Sequence, residues 1–291
     1  MFRPLQKLVE EQEWLDALGD PLQKYITSLF SNAGENGKQI KDLLNGTWLG
    51  HPLHPVITDV PIGAWTCTLV LDLIGSRRDD DTLETAADIT LATGLAAAAG
   101  AAATGFTDWS DTYGKERKLG LLHGVTMTAT FATYLLALLA RLGGARRAGV
   151  LLSNTGYLLA AAGAYLGGDE VYDIGYGVNH TAFTHGPGEY TPVLPEGELA
   201  EGKPAKADVS GVSIVLVKIG SDIYALDDTC VHAGCSLAGG SLEGRSIICP
   251  CHGSQYDLWD GAVIHGPATM PEPAYDVRVR NGMIEVKQAT A

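Results

Sequence analysis

The sequence predicts a two-domain chain of the α + β type, in which a four-helix transmembrane bundle is followed by a small all-β domain. Three observations support this prediction. Long runs without charged residues occupy the middle of the 291-residue chain, short alternating strands lie toward its C-terminus, and most of the net charge of −14 belongs to that second part. A chain of this composition is not typical of a disordered protein, and its acidity disfavours nucleic acid as a partner.

Three of the four predicted spans are runs that contain no Asp, Glu, Lys or Arg. They cover residues 89–107, 119–140 and 148–168, and they are 19, 22 and 21 residues long. A helix needs about 20 apolar residues to cross the hydrocarbon core of a bilayer. Their alanine, glycine and threonine content favours close packing of helices in lipid. Buried helices of a soluble bundle are the alternative, but such helices usually show one polar face.

The fourth predicted span precedes the others, at about residues 55–75, and completes a membrane domain at residues 51–180. It is the weakest of the four, because 12 uncharged residues separate Asp59 from Asp72. Charged groups at or inside a membrane boundary are costly, so we expect these aspartates to be paired or functional.

Residues 1–50 are polar and predict an amphipathic helical segment that lies on the membrane or on the bundle. Apolar residues recur there at roughly helical spacing beside acidic ones, and the pattern is not that of a cleavable signal peptide. The apolar positions are Leu5, Leu8, Val9, Leu15 and Leu18.

The predicted β domain covers residues 189–291 and follows a linker at 181–188. Prolines punctuate its entry, and short strands with alternating apolar residues follow. Asn281-Gly282 is typical of the tight turn in a hairpin. The strands are predicted at residues 209–219, 223–226, 246–249, 275–279 and 283–286.

Four of the five cysteines fall in two short clusters that also contain histidines. Cys230-Val-His232 is followed, after sixteen residues, by Cys249-Pro-Cys251-His252. Two thiolates and two imidazoles could hold a zinc ion. One cysteine and one histidine per loop favour a [2Fe–2S] cluster instead, in which one iron takes both thiolates and the other takes both imidazoles.

The motifs Cys-x-His-x-Gly-Cys and Cys-Pro-Cys-His-Gly-Ser resemble those of the Rieske iron–sulfur family, and the resemblance covers about residues 189–287. It implies a [2Fe–2S] cluster and one-electron transfer. It also implies a disulfide between Cys235 and Cys251. The ligands that the resemblance implies are Cys230, His232, Cys249 and His252.

Further residues are similar to those of high-potential Rieske proteins in quinol-oxidising complexes. Ser254 and Tyr256 stand where those proteins place hydroxyls that donate hydrogen bonds to cluster sulfurs and raise the reduction potential. His265-Gly266-Pro267 resembles their proline loop, which covers the cluster. The resemblance therefore implies quinol or a membrane redox complex as electron donor, and a haem or copper protein as acceptor.

Two other functions stay open from the sequence. The domain could be a ferredoxin-like subunit for an oxygenase or reductase, or its cluster could be a redox sensor or a structural element. The chain itself shows no complete oxygenase site, since 39 residues with one further histidine follow His252. A mononuclear iron centre would need two histidines and a carboxylate in a domain of its own. We therefore predict an electron-transfer component.

Residues 50–63 resemble the start of a bacterial four-helix membrane domain of unknown function, and the resemblance reaches about residue 179. Four crossings would bring five histidines to one face of the membrane. His54 and His123 could bind a b-type haem, or line a quinol pocket with Asp59 as proton acceptor. The simplest alternative is that histidines cap the helix start and bond to backbone. The five histidines are His51, His54, His123, His180 and His185.

The orientation in the cell membrane depends on a small difference in positive charge. Five arginines lie in the two predicted loops away from the termini, against four basic residues on the near side. Arg146-Arg147 also resembles a twin-arginine export signal, although ordinary positively charged flanks explain it as well. Both interpretations put the β domain on the outer face, where a disulfide persists.

Overall fold

The computed structural model describes residues 3–78 and 80–289, with side chains from residue 7 onward, so that the side chain of Leu5 lies outside the description. The chain forms two compact units, Met1–Asn32 with Leu53–Tyr176 and Ala33–Pro52 with Gly177–Ala291. This division differs from the predicted N-terminal segment of residues 1–50, because residues 33–52 pack with the C-terminal residues.

Two helices from the N-terminal segment belong to the first unit: α1 (Arg3–Glu10) and α2 (Glu13–Asn32). Val9 and Leu15 are buried in a cluster with Trp109 and Leu121 of the long helices. The segment therefore lies on the bundle through two of the predicted apolar residues, whereas Leu8 and Leu18 are exposed. It is divided into several helices rather than one, and α3 (Gly34–Asn45) belongs to the second unit.

Four long helices make up the rest of the first unit. The most apolar 18-residue window of each has a mean hydropathy between 1.2 and 1.5, and each is long enough to cross a membrane. Short connections make successive helices antiparallel neighbours. The helices are α4 (Leu53–Arg78), α5 (Asp81–Trp109), α6 (Gly114–Leu142) and α7 (Arg146–Asp169), and a π-helical turn at Glu170–Ile174 continues the last.

Glycines allow large aromatic side chains to fill the centre of this bundle. The rings of Trp65 and Tyr134 stack with centroids 4.2 Å apart. A Cβ atom on Gly94 would lie 2.3 Å from the Trp65 ring, and one on Gly156 would lie 3.0 Å from the Tyr134 ring. The glycines inside α5 and α7 thus serve helix packing, as the small-residue content of the spans predicts.

A buried ion pair joins α4 to α6 at the end of the bundle where both helices finish. The side chains of Asp72 and Arg141 are 1% and 0% exposed, and the guanidinium also donates to Asp88 at 2.9 Å and to Ser153 at 2.7 Å. Asp72 is therefore paired, as expected for a carboxylate in a membrane-spanning helix. Asp59 has the opposite environment, since its side chain is exposed on α4.

The second unit contains two antiparallel sheets. A six-stranded sheet has the order β1-β10-β9-β4-β3-β2, and a four-stranded sheet has the order β5-β6-β7-β8. The strands are β1 (Thr191–Pro195), β2 (Ala205–Val209), β3 (Val212–Ile219), β4 (Asp222–Asp227), β5 (Ser241–Glu243), β6 (Ser246–Ile248), β7 (Gln255–Asp257), β8 (Val263–His265), β9 (Ala274–Arg280) and β10 (Met283–Gln288).

The hairpin at Asn281-Gly282 joins β9 to β10 as predicted, and both turn residues have the positive φ that this turn requires. The strand predicted at 209–219 is instead broken after Val209. Ser210 and Gly211 have φ values of 53° and 82° and form a turn between β2 and β3. Apolar residues alternate on both sides of this turn, and for this reason the sequence predicted one strand where the structure has two.

Candidate iron–sulfur site

Three loops of the β unit converge at one end of the four-stranded sheet. The first follows β4 at residues 228–236, the second joins β6 to β7 at residues 249–254, and the third joins β8 to β9 at residues 266–273. Side chains from the first two loops pack together in one buried cluster with Leu237, Ile247 and Tyr256.

The first two loops have the same backbone hydrogen-bond pattern. Gly234 N donates to Cys230 O at 2.8 Å, and Gly253 N donates to Cys249 O at 3.1 Å. Both glycines follow their cysteine by four residues and have positive φ, at 72° and 79°. Only glycine adopts this conformation easily, so the glycine of each motif closes its loop around a cysteine.

Cys230 and Cys249 are buried and lie outside the disulfide. Their thiols are close enough to hydrogen-bond to one another. The rings of His232 and His252 have centroids 4.8 Å apart and are nearly perpendicular. The structure thus brings together two thiols and two imidazoles, one of each from either loop.

Electrostatics prepares these groups to bind metal. The hydrogen bond between the two thiols lowers the pKa of Cys249, and backbone amides of the second loop lower it further. The same hydrogen bond, with burial, raises the pKa of Cys230, so Cys249 loses its proton first. Burial lowers the pKa of His232 to about 3, and it also lowers the pKa of His252, with a contribution from the positive charge of Lys41. A thiolate and neutral imidazoles are the forms that bind metals.

A disulfide ties the two loops together next to these groups. Cys235 and Cys251 are bonded, with their Cα atoms 6.4 Å apart. The pairing that the sequence resemblance implied is therefore present. Cys230 and Cys249 remain as free thiols among the same packed side chains, and a metal centre requires such unbonded cysteines.

Two buried hydroxyl groups belong to this part of the domain, and that of Tyr256 lies beside a thiol. The Tyr256 hydroxyl is 3.1 Å from Cys230 Sγ, and the whole side chain is buried. Ser254 is also buried, and its Oγ accepts a hydrogen bond from Ala268 N of the third loop at 3.0 Å. A hydroxyl that donates to a cysteine sulfur stabilises negative charge on the metal centre.

Glu272 is a buried acid of the third loop that the sequence did not single out. Its Oε2 accepts from Val231 N at 3.0 Å, between the candidate ligands Cys230 and His232. Burial raises the pKa of Glu272 to about 9, so its carboxyl is protonated at neutral pH. This carboxyl connects the third loop to the first behind the candidate ligands.

Helix α3 holds the third loop from outside the β domain. Asp42 accepts two hydrogen bonds there, from His265 Nδ1 at 2.7 Å and from Gly266 N at 2.7 Å. A Cβ atom on Gly266 would lie 3.0 Å from Asn45 of the same helix. The loop predicted to cover the cluster is thus fixed by a residue 223 positions earlier in the chain. No local pattern in the sequence indicates this contact.

These groups fit a two-iron cluster, because each loop supplies one sulfur and one imidazole nitrogen. A family model described as "Rieske [2Fe-2S] domain" matches residues 189–281. A ferredoxin component of the naphthalene 1,2-dioxygenase/salicylate 5-hydroxylase systems of Ralstonia sp is 32% identical over 90 residues, which are 31% of this chain and 86% of the relative. The chain belongs to the Rieske iron–sulfur family. Its Rieske domain carries a [2Fe–2S] cluster and transfers electrons.

Other relatives match the same domain. The ferredoxin subunit of 3-phenylpropionate/cinnamic acid dioxygenase from Escherichia coli O139:H28 is 35% identical over 31% of this chain and 85% of its own length. The solved ferredoxin of carbazole 1,9a-dioxygenase from Nocardioides aromaticivorans IC177 is 31% identical, with a TM-score of 0.33, over 34% of this chain and 98% of that one. A second family model, "Predicted membrane protein (DUF2231)", matches residues 50–180. It agrees with the four apolar helices, so the chain is associated with a membrane.

The histidines predicted to gather at one face fall in both units. His54 and His123 lie in the helix bundle, with ring centroids 6.3 Å apart. Asp59 follows His54 by five residues, which is about 140° around a helix, and its exposed side chain lies on another side of α4. His180 belongs to the β unit, where its backbone N donates to Val231 O at 3.1 Å. His51 and His185 are exposed.

Proposed function

We propose that this chain is a membrane-anchored Rieske protein that carries one electron at a time at high potential, in a pathway of quinol oxidation. The cluster ligands in this proposal are Cys230 and Cys249 on one iron and His232 and His252 on the other. The position of these groups on two disulfide-linked loops supports the assignment. These four residues would hold the cluster, which would accept and release one electron at a time with its ligands unchanged.

The observation that carries the proposed high potential is the Tyr256 hydroxyl, 3.1 Å from Cys230 Sγ. A donated hydrogen bond stabilises the reduced cluster, which has one more negative charge, and so raises the reduction potential. Ser254 supplies a second buried hydroxyl, which hydrogen-bonds to the Tyr256 side chain. His265 at the end of β8, with Gly266 and Pro267 of the third loop, would limit solvent access to the cluster and act in the same direction.

Quinol would meet the cluster at the imidazoles of His232 and His252, one of which accepts a hydrogen bond from the quinol hydroxyl. Both rings are half-buried. The oxidised cluster would accept one electron and a base one proton, which leaves a semiquinone. A second oxidised cluster and a base would take the remaining electron and proton, so that quinone is released. Residues 169–291 have 7 basic and 17 acidic side chains, a net charge of −10. This charge favours a basic haem or copper protein as the acceptor, on the outer face of the cell membrane.

A second function is favoured by the comparisons. The relatives from Ralstonia sp and Escherichia coli are ferredoxin components of dioxygenases. In this alternative, the Rieske domain passes electrons to an oxygenase or reductase, and the helices serve as an anchor. The quinol pathway predicts a positive reduction potential, whereas the ferredoxin alternative predicts a potential well below zero that does not vary with pH.

Redox titration of the purified full-length protein, followed by the electron paramagnetic resonance signal of the reduced cluster, tests the proposal. We expect a positive midpoint potential. We expect Tyr256→Phe to lower it by tens of millivolts, since a change of about 1.4 kcal/mol corresponds to 59 mV for one electron. Tyr190→Phe is a matched control, because the Tyr190 ring lies under Arg278 and keeps that contact without its hydroxyl.

A midpoint potential well below zero that does not vary with pH would support the ferredoxin alternative and refute the quinol pathway. A positive potential that Tyr256→Phe leaves unchanged would refute the role of Tyr256. Reduction of the cluster by ubiquinol or menaquinol in proteoliposomes, and its reoxidation by a c-type cytochrome, would then identify the direction of electron flow.

A further inference from the structure

Two histidines of the helix bundle form a site that is separate from the Rieske domain. His54 is the second residue of α4 and His123 is the tenth residue of α6, so both lie at the end of the bundle where α4 begins and α7 ends. Their ring centroids are 6.3 Å apart and the rings are nearly perpendicular, at 88°. Both rings are half-buried between helices.

Each imidazole is held by a backbone carbonyl on a neighbouring helix. His54 Nδ1 lies 2.9 Å from Ala101 O of α5, and His123 Nδ1 lies 2.8 Å from Gly163 O of α7. A carbonyl oxygen can only accept, so each Nδ1 must carry the hydrogen. In a neutral imidazole this leaves the lone pair on Nε2. Histidines that bind metals typically have this arrangement, in which the second nitrogen donates to a carbonyl.

Glycines in the adjacent helices make room for the two rings. A Cβ atom on Gly105 of α5 would lie 2.8 Å from the His54 ring, and one on Gly167 of α7 would lie 3.3 Å from the His123 ring. A glycine inside a helix costs about 1 kcal/mol relative to alanine. Glycine at these two positions leaves space for the imidazole rings, although it lowers the stability of each helix.

We propose that His54 and His123 are the two axial ligands of one b-type haem in the membrane domain. Two imidazoles that oppose each other across one metal ion, at about 2.0–2.1 Å each, have centroids about 6 Å apart. Their surroundings are backbone carbonyls, the Thr104 hydroxyl and glycines. Two nitrogens leave a six-coordinate ion four ligands short, and the porphyrin supplies those four. This site depends on neither the donor nor the acceptor proposed for the cluster.

Optical and electron paramagnetic resonance spectra of the purified full-length protein test this proposal, before and after titration with haemin. We expect about one haem per chain, with sharp α and β bands after reduction and a low-spin ferric signal. His54→Gln and His123→Gln should each remove the low-spin signal and weaken haemin binding at least tenfold, because glutamine can keep the bond to the carbonyl but is a poor haem ligand.

His51→Gln is the matched control, since His51 is exposed and precedes His54 by three residues. The Rieske signal should persist in all three variants, which shows that each protein is folded. The proposal is overturned if haemin gives no low-spin species with the wild-type protein. It is also overturned if low-spin haem persists in both His54→Gln and His123→Gln, since the ligands would then lie elsewhere.

Discussion

Replacement of Asp42 by alanine should release the third loop, which we propose covers the cluster. The carboxylate is 20% exposed and accepts two hydrogen bonds at 2.7 Å, from the ring of His265 and the backbone of Gly266. A hydrogen bond to a charged group contributes about 1.5–3 kcal/mol when well formed. With a discount for the exposed fraction, we expect the variant to lose about 2–4 kcal/mol of the free energy that holds the loop closed.

The rate at which the protein loses its iron–sulfur cluster measures how much less firmly the loop is held. If the loop must open before the cluster is released, a loss of about 2 kcal/mol predicts a release about 30-fold faster. The rate is measured from the decay of visible circular dichroism in the full-length protein, with a chelator present at constant temperature. Gln39→Ala is the control on the same helix, since the Gln39 side chain is exposed. Decay of Asp42→Ala at the wild-type rate would refute the reasoning.

Three further predictions concern stability. Asp72→Asn removes the negative charge that pairs with the buried guanidinium of Arg141, so it should destabilise the bundle by about 3 kcal/mol. Thermal unfolding in detergent measures this loss, and Asp59→Asn is the control, since Asp59 is exposed and its replacement should leave the stability unchanged. Cys235→Ser opens a link across 16 residues and should cost the Rieske domain about 3 kcal/mol in urea unfolding; an unchanged midpoint would contradict this. For Glu272, the folded pKa of about 9 exceeds the ordinary 4.5, so stability is full below about pH 4.5 and falls as pH rises toward 9. Glu272→Gln should flatten this dependence of the melting temperature, and parallel wild-type and variant curves would show that another group is responsible.

Local patterns predicted much of this protein. Three charge-free runs and one apolar stretch between aspartates predicted the four apolar helices, and the cysteine and histidine spacing predicted the Rieske domain. Both features depend on residues close together in the chain. The Asn281-Gly282 turn was equally local. The break at Ser210-Gly211 was missed because the apolar alternation continues on both sides of it.

Contacts between distant residues were beyond the reach of such patterns. Asp42 and His265 are 223 positions apart, and Asp72 and Arg141 are 69 apart, so no periodicity or motif joins them. The sequence did place His54 and His123 at a similar depth in the membrane. Their separation, and the carbonyls that hold them, followed only from the packing of the helices.

The sequence by itself determined that this chain has a membrane part and an iron–sulfur part. The length of an apolar segment and the spacing of metal ligands both depend on residues that are close together in the chain. The tertiary structure decided which distant groups meet. Helix α3 holds the third loop, Glu272 bonds to the first loop, and glycines lie opposite the bundle histidines. The physical reason is that such support comes from hydrogen bonds and packing between segments that meet only when the chain is folded.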